Sequence, residues 1–213
     1  MAGEAARRSP GFLPDPLAPA SGDSGRGWRV LCRLAGRHAG FFTTRQVLRT
    51  GCADRVRACL GNGSVTRTGV GMLRMANWPE GPLDECAMWA AWFDGAVAVS
   101  HQSAADLHGI GRLHPNFLHL SAAAGRPPVT QRVVVLRRRL PSADLESAGP
   151  FLVTTPVRTV LDLAESDIAQ SALDEVVADA LAIHRCDADE IRAAGETLGT
   201  WATVRVRRAL AAG

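Results

Sequence analysis

The sequence contains neither lysine nor tyrosine, although 24 of its 213 residues are basic. Every one of those cations is an arginine, a planar fork of donors suited to phosphate oxygens and guanine edges. Long apolar runs are missing too. Nothing approaches the roughly 20 residues that a membrane-spanning helix requires, and the N-terminus lacks the apolar core of a secretory signal. The expectation is a chain without a membrane partner, located in the cytoplasm. The five cysteines, Cys32, Cys52, Cys59, Cys86 and Cys186, are scattered and form no C-x-x-C pair. That pattern suggests neither a disulfide frame nor a zinc knuckle, so reduced thiols are expected. There is no P-loop, no glycine-rich nucleotide loop and no Ser-His-Asp order. We therefore expect no catalysis, no metal and no cofactor.

What is present is a folding sequence, 46% hydrophobic, with a strongly uneven charge. Residues 1–26 interleave Pro10, Pro14, Pro16 and Pro19 with small polar residues and read as a disordered tail. Between Trp28 and Pro79 there are nine Arg against one acid, Asp54, a balance of +8. From Glu80 onward twelve Arg face seventeen acids, a balance of −5. A short segment at +8 attracts polyanions, because each phosphate it neutralises releases condensed counterions. Nucleic acid is the expected partner of the first module, residues 27–79, with 80–213 forming a second.

Apolar spacing in the first module predicts a helix over Trp28 to Ala39. A second helix opens at Thr43, which has capping-box spacing with Gln46. A third follows the Gly51 turn, capped by Asp54, with Val56, Cys59 and Leu60 inward and Arg55 and Arg57 outward. Ser64–Thr68, a Gly69-Val70-Gly71 turn and Met72–Met75 read as a hairpin. Two short helices and a hairpin give a winged helix-turn-helix. The expected DNA contacts are Thr43, Thr44, Arg45 and Gln46 at the start of the second helix, Arg55 and Arg57 in the groove, and Arg67 and Arg74 on the wing. The stretch "LAGRHAGFFTTRQVLRTG…RVRACLGNGSVTRTGVGMLRM" resembles the N-terminal winged-helix domain of the AbiEi-type antitoxins of type IV toxin-antitoxin systems.

The second module reads as mixed α/β, so the fold class is α+β. We expect a helix over Pro82–Phe93 and strands at Ala96–Val99, Phe117–Ser121, Arg132–Arg137 and Phe151–Thr154. Ser100 would cap a helix ending at Gly109, and Thr155-Pro156 would open another. "SHQSAADLHGI" and "TTPVRTVLDLAE" resemble the paired signatures of the AbiEi C-terminal region, carried here by Ser100, His101, Ser103, His108, Thr155, Arg158 and Asp162. Arg158 and Asp162, four apart, suit an ion pair. His101, His108, His114 and His119 show no metal-ligand spacing and read as packing or capping residues. Residues 165–196 hold nine acids and two Arg, on two helices with Ser166 and Asp187 as caps and Glu190 completing a box. That face is either a solvated surface or a docking site through Asp174, Glu175 and Asp179 for a basic protein.

The resemblance implies a DNA-binding autoregulator acting at an inverted repeat in its own promoter, as monomer or dimer, and a nucleotidyltransferase-type toxin as its partner. Two alternatives stay open: a solitary regulator without a toxin, and a remnant of relatives that continue into a Vsr-like endonuclease domain. "VRVRRALAAG" resembles the point of crossing into that domain, whose acidic metal-binding cluster has no counterpart up to Gly213.

Overall fold

The computed structural model describes residues 22–127 and 132–212. The expected tail falls, up to residue 21, outside the described residues. From Gly22 the chain is helical, so the first helix, α1 (Gly22–Gly36), begins six residues before the expected Trp28. Its sequence GDSGRG has no apolar period to announce a helix. The extension is supported by backbone packing: a Cβ at Gly27 would lie 2.0 Å from the Thr50 carbonyl oxygen. Farther along, Leu31 and Ala35 turn fully into the core.

After α1 come strand β1 (Phe41–Thr43), helices α2 (Thr44–Arg49) and α3 (Ala53–Gly61), and the hairpin β2 (Val65–Gly69) and β3 (Met72–Met75). Strand β1 was not expected, since three residues are too few to show alternation. It completes an antiparallel sheet of order β1-β3-β2, with Phe42 opposite Leu73. This helix-strand-helix-helix-hairpin order is compatible with a winged helix-turn-helix. Its core gathers Leu31, Phe42, Val47, Val56, Val65 and Leu73, each such side chain contributing about 1.5–3 kcal/mol by leaving water. At the wing tip Gly71 takes a φ of +72°, and its carbonyl accepts a hydrogen bond from the Thr44 amide.

Helix α4 (Asp84–Trp92) starts slightly later than expected and is apolar on two sides. Ala87 and Ala91 pack onto Phe41 and Met72 of the first sheet, while Cys86, Trp89 and Ala90 pack onto the second. One helix thus joins two cores. The second sheet has the order β6-β5-β4-β8-β7. It is built from β4 (Val97–Val99), β5 (Leu118–Ala122), β6 (Val133–Arg137), β7 (Leu145–Ser147) and β8 (Leu152–Thr154), with helix α5 (His101–His108) following β4. The central β4 runs antiparallel to β5 and parallel to β8. Strand β7, again three residues long, escaped the sequence reading.

Helices α6 (Pro156–Ala164), α7 (Gln170–Ala182), α8 (Ala188–Gly195) and α9 (Thr200–Ala212) enclose a third core around Val160, Leu163, Leu173, Val176, Ile191 and Val206. Thr155 caps α6 with Pro156 in its first turn, and Asp187 forms the expected box with Glu190 at α8. Ser166 caps nothing: α7 begins later, at Gln170, and the Ser166 hydroxyl donates back to the Leu163 carbonyl. Asp54 is not the cap of α3 either, because Cys52 holds that position and Asp54 lies in the first turn.

Candidate nucleic-acid interface and the buried polar network

The structure divides the eight expected DNA contacts into two groups. Thr43 and Gln46 close a reciprocal capping box, the Thr43 hydroxyl accepting from the Gln46 amide at 3.1 Å and the Gln46 side chain accepting from the Thr43 amide at 2.7 Å. Both are buried, and Gln46 Nε2 donates onward to the Asp94 carboxylate at 2.7 Å. They fix α2 against the rest of the protein and do not face solvent. Arg74 is corrected in the same way. It is 7% exposed, pairs with Asp84 at 2.9 Å, donates to the Ala39 and Pro79 carbonyls and lies over the Phe41 ring. Its place on β3 turns inward, where a guanidinium must find partners within the protein.

Thr44, Arg45 and Arg67 are exposed. Arg57 is exposed too, at 78%, and makes an i,i+3 pair with Asp54 at 2.8 Å. Arg55 is half-buried, its guanidinium 4.5 Å from the centre of the Trp28 ring, so it ties α3 to α1. Arg49, not singled out from the sequence, pairs with Asp94 at 2.7 Å. Asp94 thereby gathers Gln46 and Arg49. Burial raises its carboxyl pKa, but the bonds from Arg49 and Gln46 outweigh burial and hold the carboxyl below its ordinary range.

The acidic candidates of α7 also have local partners. Asp179 accepts from the Gly111 amide at 2.8 Å, Glu175 pairs with Arg112 at 3.2 Å, and Asp174 accepts from Gln170 at 2.6 Å. None of the three is fully exposed. Their charges hold the loop after α5 and the start of α7 while staying partly open to solvent.

The two signature motifs meet. Helices α5 and α6 pack on each other, and at their contact Asp162, 0% exposed, receives Arg158 from one turn before and Arg138 from the end of β6, at 2.8 and 2.6 Å. Glu165 lies against the same two guanidiniums. The Arg158–Asp162 pair has the expected i,i+4 spacing. Arg138 was missed, because nothing local distinguishes it within the Arg137-Arg138-Arg139 run. Across from this cluster, His101 Nδ1 lies 3.8 Å from Asp162 and 3.0 Å from the Ser100 hydroxyl, which accepts from Ser121 at 2.8 Å. Ser100 therefore stands at the expected N-cap position, but its hydroxyl makes no capping bond and only its carbonyl accepts from the helix, from the Ala104 amide at 3.2 Å. His101 holds a left-handed φ of +53°, a strained conformation for a residue with a side chain.

Burial, with His119, Arg138 and Arg158 nearby, pushes the His101 imidazole from its ordinary 6.5 to about 4, so it is neutral at pH 7. A Ser-His-Asp relay needs the serine and the carboxylate on opposite ring nitrogens. Here both face Nδ1, and the Ser100 hydroxyl is fully buried. Ser103 anchors the start of β5, accepting from the His119 amide at 2.9 Å and donating to the Phe117 carbonyl at 3.3 Å. His108 binds β8 and the α7–α8 turn together. Its Nε2 lies 2.7 Å from the Thr154 carbonyl and must carry the proton, leaving Nδ1 to accept from Arg185 at 3.2 Å. His114 is exposed. Among the described residues no three His, Cys, Asp or Glu side chains gather where they could hold a metal ion. No described helix is long and apolar enough to cross a membrane.

The motifs that converge here belong to a known family. Residues 96–212 match the AbiEi antitoxin C-terminal domain. In fold, the chain is similar to the RV2827C protein from Mycobacterium tuberculosis. The TM-score is 0.55 at 17% identity, covering 87% of this chain and 76% of that one. No curated protein matches it. The matched segment takes in β4 through α9, more than half of the sequence and both halves of the buried network, and on that basis the chain belongs to the AbiEi antitoxin family.

Proposed function

We propose that the protein is a non-enzymatic, duplex-DNA-binding antitoxin. It represses its own promoter at an inverted repeat through the N-terminal winged module and counteracts a nucleotidyltransferase-type toxin through the C-terminal region. The observation that carries the DNA half is a helix-turn-helix and hairpin bearing exposed Arg45, Arg57 and Arg67, in a segment with a balance of +8. Arg45 sits in the first turn of α2, next to Thr44, whose amide bonds the wing-tip Gly71 carbonyl, and Arg67 lies on the outer strand of the wing. Guanidiniums so placed position a motif on phosphate rather than read bases.

The direct test is a gel shift on the protein's own upstream DNA across a salt series. Each phosphate contact adds about −0.9 to the slope of log K against log salt. Arg45→Gln with Arg67→Gln is expected to make the slope shallower by about 1.8. A protein that ignores duplex DNA in dilute buffer would remove the regulator reading. For the absence of catalysis, supercoiled plasmid incubated with Mg²⁺ should stay intact, and nicking that survives repurification would reverse that part. Co-expression with the adjacent reading frame tests the toxin half, with growth restored by the full chain as the expected result.

A further inference from the structure

The arginines of the winged module are not distributed as a helix-turn-helix alone would require. Arg49, Arg55 and Arg74 are engaged by Asp94, Trp28 and Asp84, while Arg57, with its i,i+3 pair to Asp54, stays exposed. Arg26, Arg29, Arg33 and Arg37 are all exposed, and among the described residues none of the four enters an ion pair. The first three lie on α1. Arg37 follows in the turn that continues it, its amide still bonded to the Arg33 carbonyl at 3.3 Å. Spacings of three, four and four residues put all four on one stripe of about 80°. That stripe lies opposite Leu31 and Ala35, the residues that face the core. No acid occurs between Arg26 and Arg37 to neutralise it.

A second, independent observation places the stripe beside the helix-turn-helix. Gly27 brings the α1 backbone against the Thr50 carbonyl in the α2–α3 turn, closer than any side chain permits, and Trp28 lies under Arg55 of α3. Arg26 and Arg29 flank that contact. The cationic row therefore starts next to the turn and runs away from it over about 16 Å. One strand of B-DNA presents a charge every 3.4 Å or so of axis, so about five phosphates fall within that length.

We propose that the outer face of α1 is a second phosphate-binding surface, which takes the sugar-phosphate backbone of the duplex beyond the segment held by the helix-turn-helix. It rests on the DNA-binding reading above and extends the footprint. Its contribution is to affinity and on-rate, independent of sequence, since guanidinium-phosphate contacts carry no base information.

The test is duplex binding by anisotropy over a salt series, using the full chain and a fourfold variant, Arg26→Gln, Arg29→Gln, Arg33→Gln and Arg37→Gln. Glutamine keeps helix propensity near that of arginine. The expected result is a slope shallower by about 1.8 or more, at least two phosphate contacts. The loss should be equal on upstream and unrelated duplex, and the corresponding fourfold Arg→Lys variant should restore the slope. If the glutamine variant fails to fold, Arg29→Gln with Arg33→Gln reads the same quantity, at about half that effect. An unchanged slope in a folded variant overturns the proposal while leaving DNA binding by the helix-turn-helix intact. Unchanged duplex binding with lost toxin counteraction also overturns it and assigns the stripe to an acidic protein partner. A wild-type chain that binds no duplex removes both readings, and is told apart because the unmutated protein itself fails.

Discussion

Asp162 and His101 are two ionisable side chains held out of water 3.8 Å apart, and their costs differ. Burial raises the Asp162 carboxyl pKa and the pairs with Arg158 and Arg138 offset that only in part; removing the carboxylate strands two guanidiniums. Asp162→Ala is expected to cost about 3–5 kcal/mol, read as a shift in the denaturant midpoint. At His101 too, burial favours the uncharged form. The folded protein holds it neutral down to about pH 4, whereas the unfolded chain takes up its proton near 6.5. The stability tied to neutral His101 is complete above pH 6.5 and is lost as the pH falls toward 4, by up to about 3 kcal/mol. His101→Gln should flatten that part of the pH-stability curve, and a curve unchanged by the substitution would refute the assignment. At this scale the sequence was legible only where partners are close along the chain. Arg158 and Asp162 could be paired by their spacing, but Arg138 and Ser121 arrive from strands whose neighbours no local pattern names. The signature residues could be identified; their convergence could not.

Among the elements, those with local stop and start signals were readable. The Thr43–Gln46 and Asp187–Glu190 boxes and the Thr155-Pro156 start all form as expected. Elements set by distant contacts were not. β1 and β7 exist because they add an edge to a sheet, and the N-terminal turns of α1 rest on the approach at Gly27. Arg205 of α9 is another case. It reaches the carbonyls of Ala164, Ser166 and Ile168, satisfying the end of α6 from a helix read only for its resemblance to a domain junction. Two glycines of α1 give a paired prediction. Gly25 has open space around it, so Gly25→Ala should add about 1 kcal/mol of stability through helix propensity, read as a higher melting temperature. Gly27→Ala drives a methyl into the Thr50 carbonyl and should lower stability by about 1–3 kcal/mol. Equal effects of the two substitutions would mean that α1 does not lie against the turn.

For the molecule as a whole, the charge asymmetry was legible and its deployment was not. A count of arginines identifies a basic module but does not separate Arg74, sealed in the junction, from Arg33 in solvent. The junction itself is polar at its edges and apolar at its centre. Phe41 and Met72 meet Ala87 and Ala91 there, with Asp94 clamping Gln46 and Arg49 on one side and Asp84 holding Arg74. Asp94→Asn keeps the side-chain shape and suits the left-handed φ of +55°, but it removes the charge that holds α2. The amides of α2 should then exchange with deuterium about tenfold faster, with those of α9 unaffected.

The position of β4 between β5 and β8 also sets the order in which its two edges are paired during synthesis. All three strands of the first sheet have left the ribosome once Met75 has, and the residues that cover it, Asp84 to Asp94, follow directly. Val97–Val99 can pair with β5 soon after. Its other edge stays bare until Leu152–Thr154 emerges. A chain interrupted between those strands carries an open, uncharged valine edge into the cell, an invitation to pair with other nascent chains. Ending translation ahead of residue 152 should therefore yield aggregate, although every residue of the winged module is present.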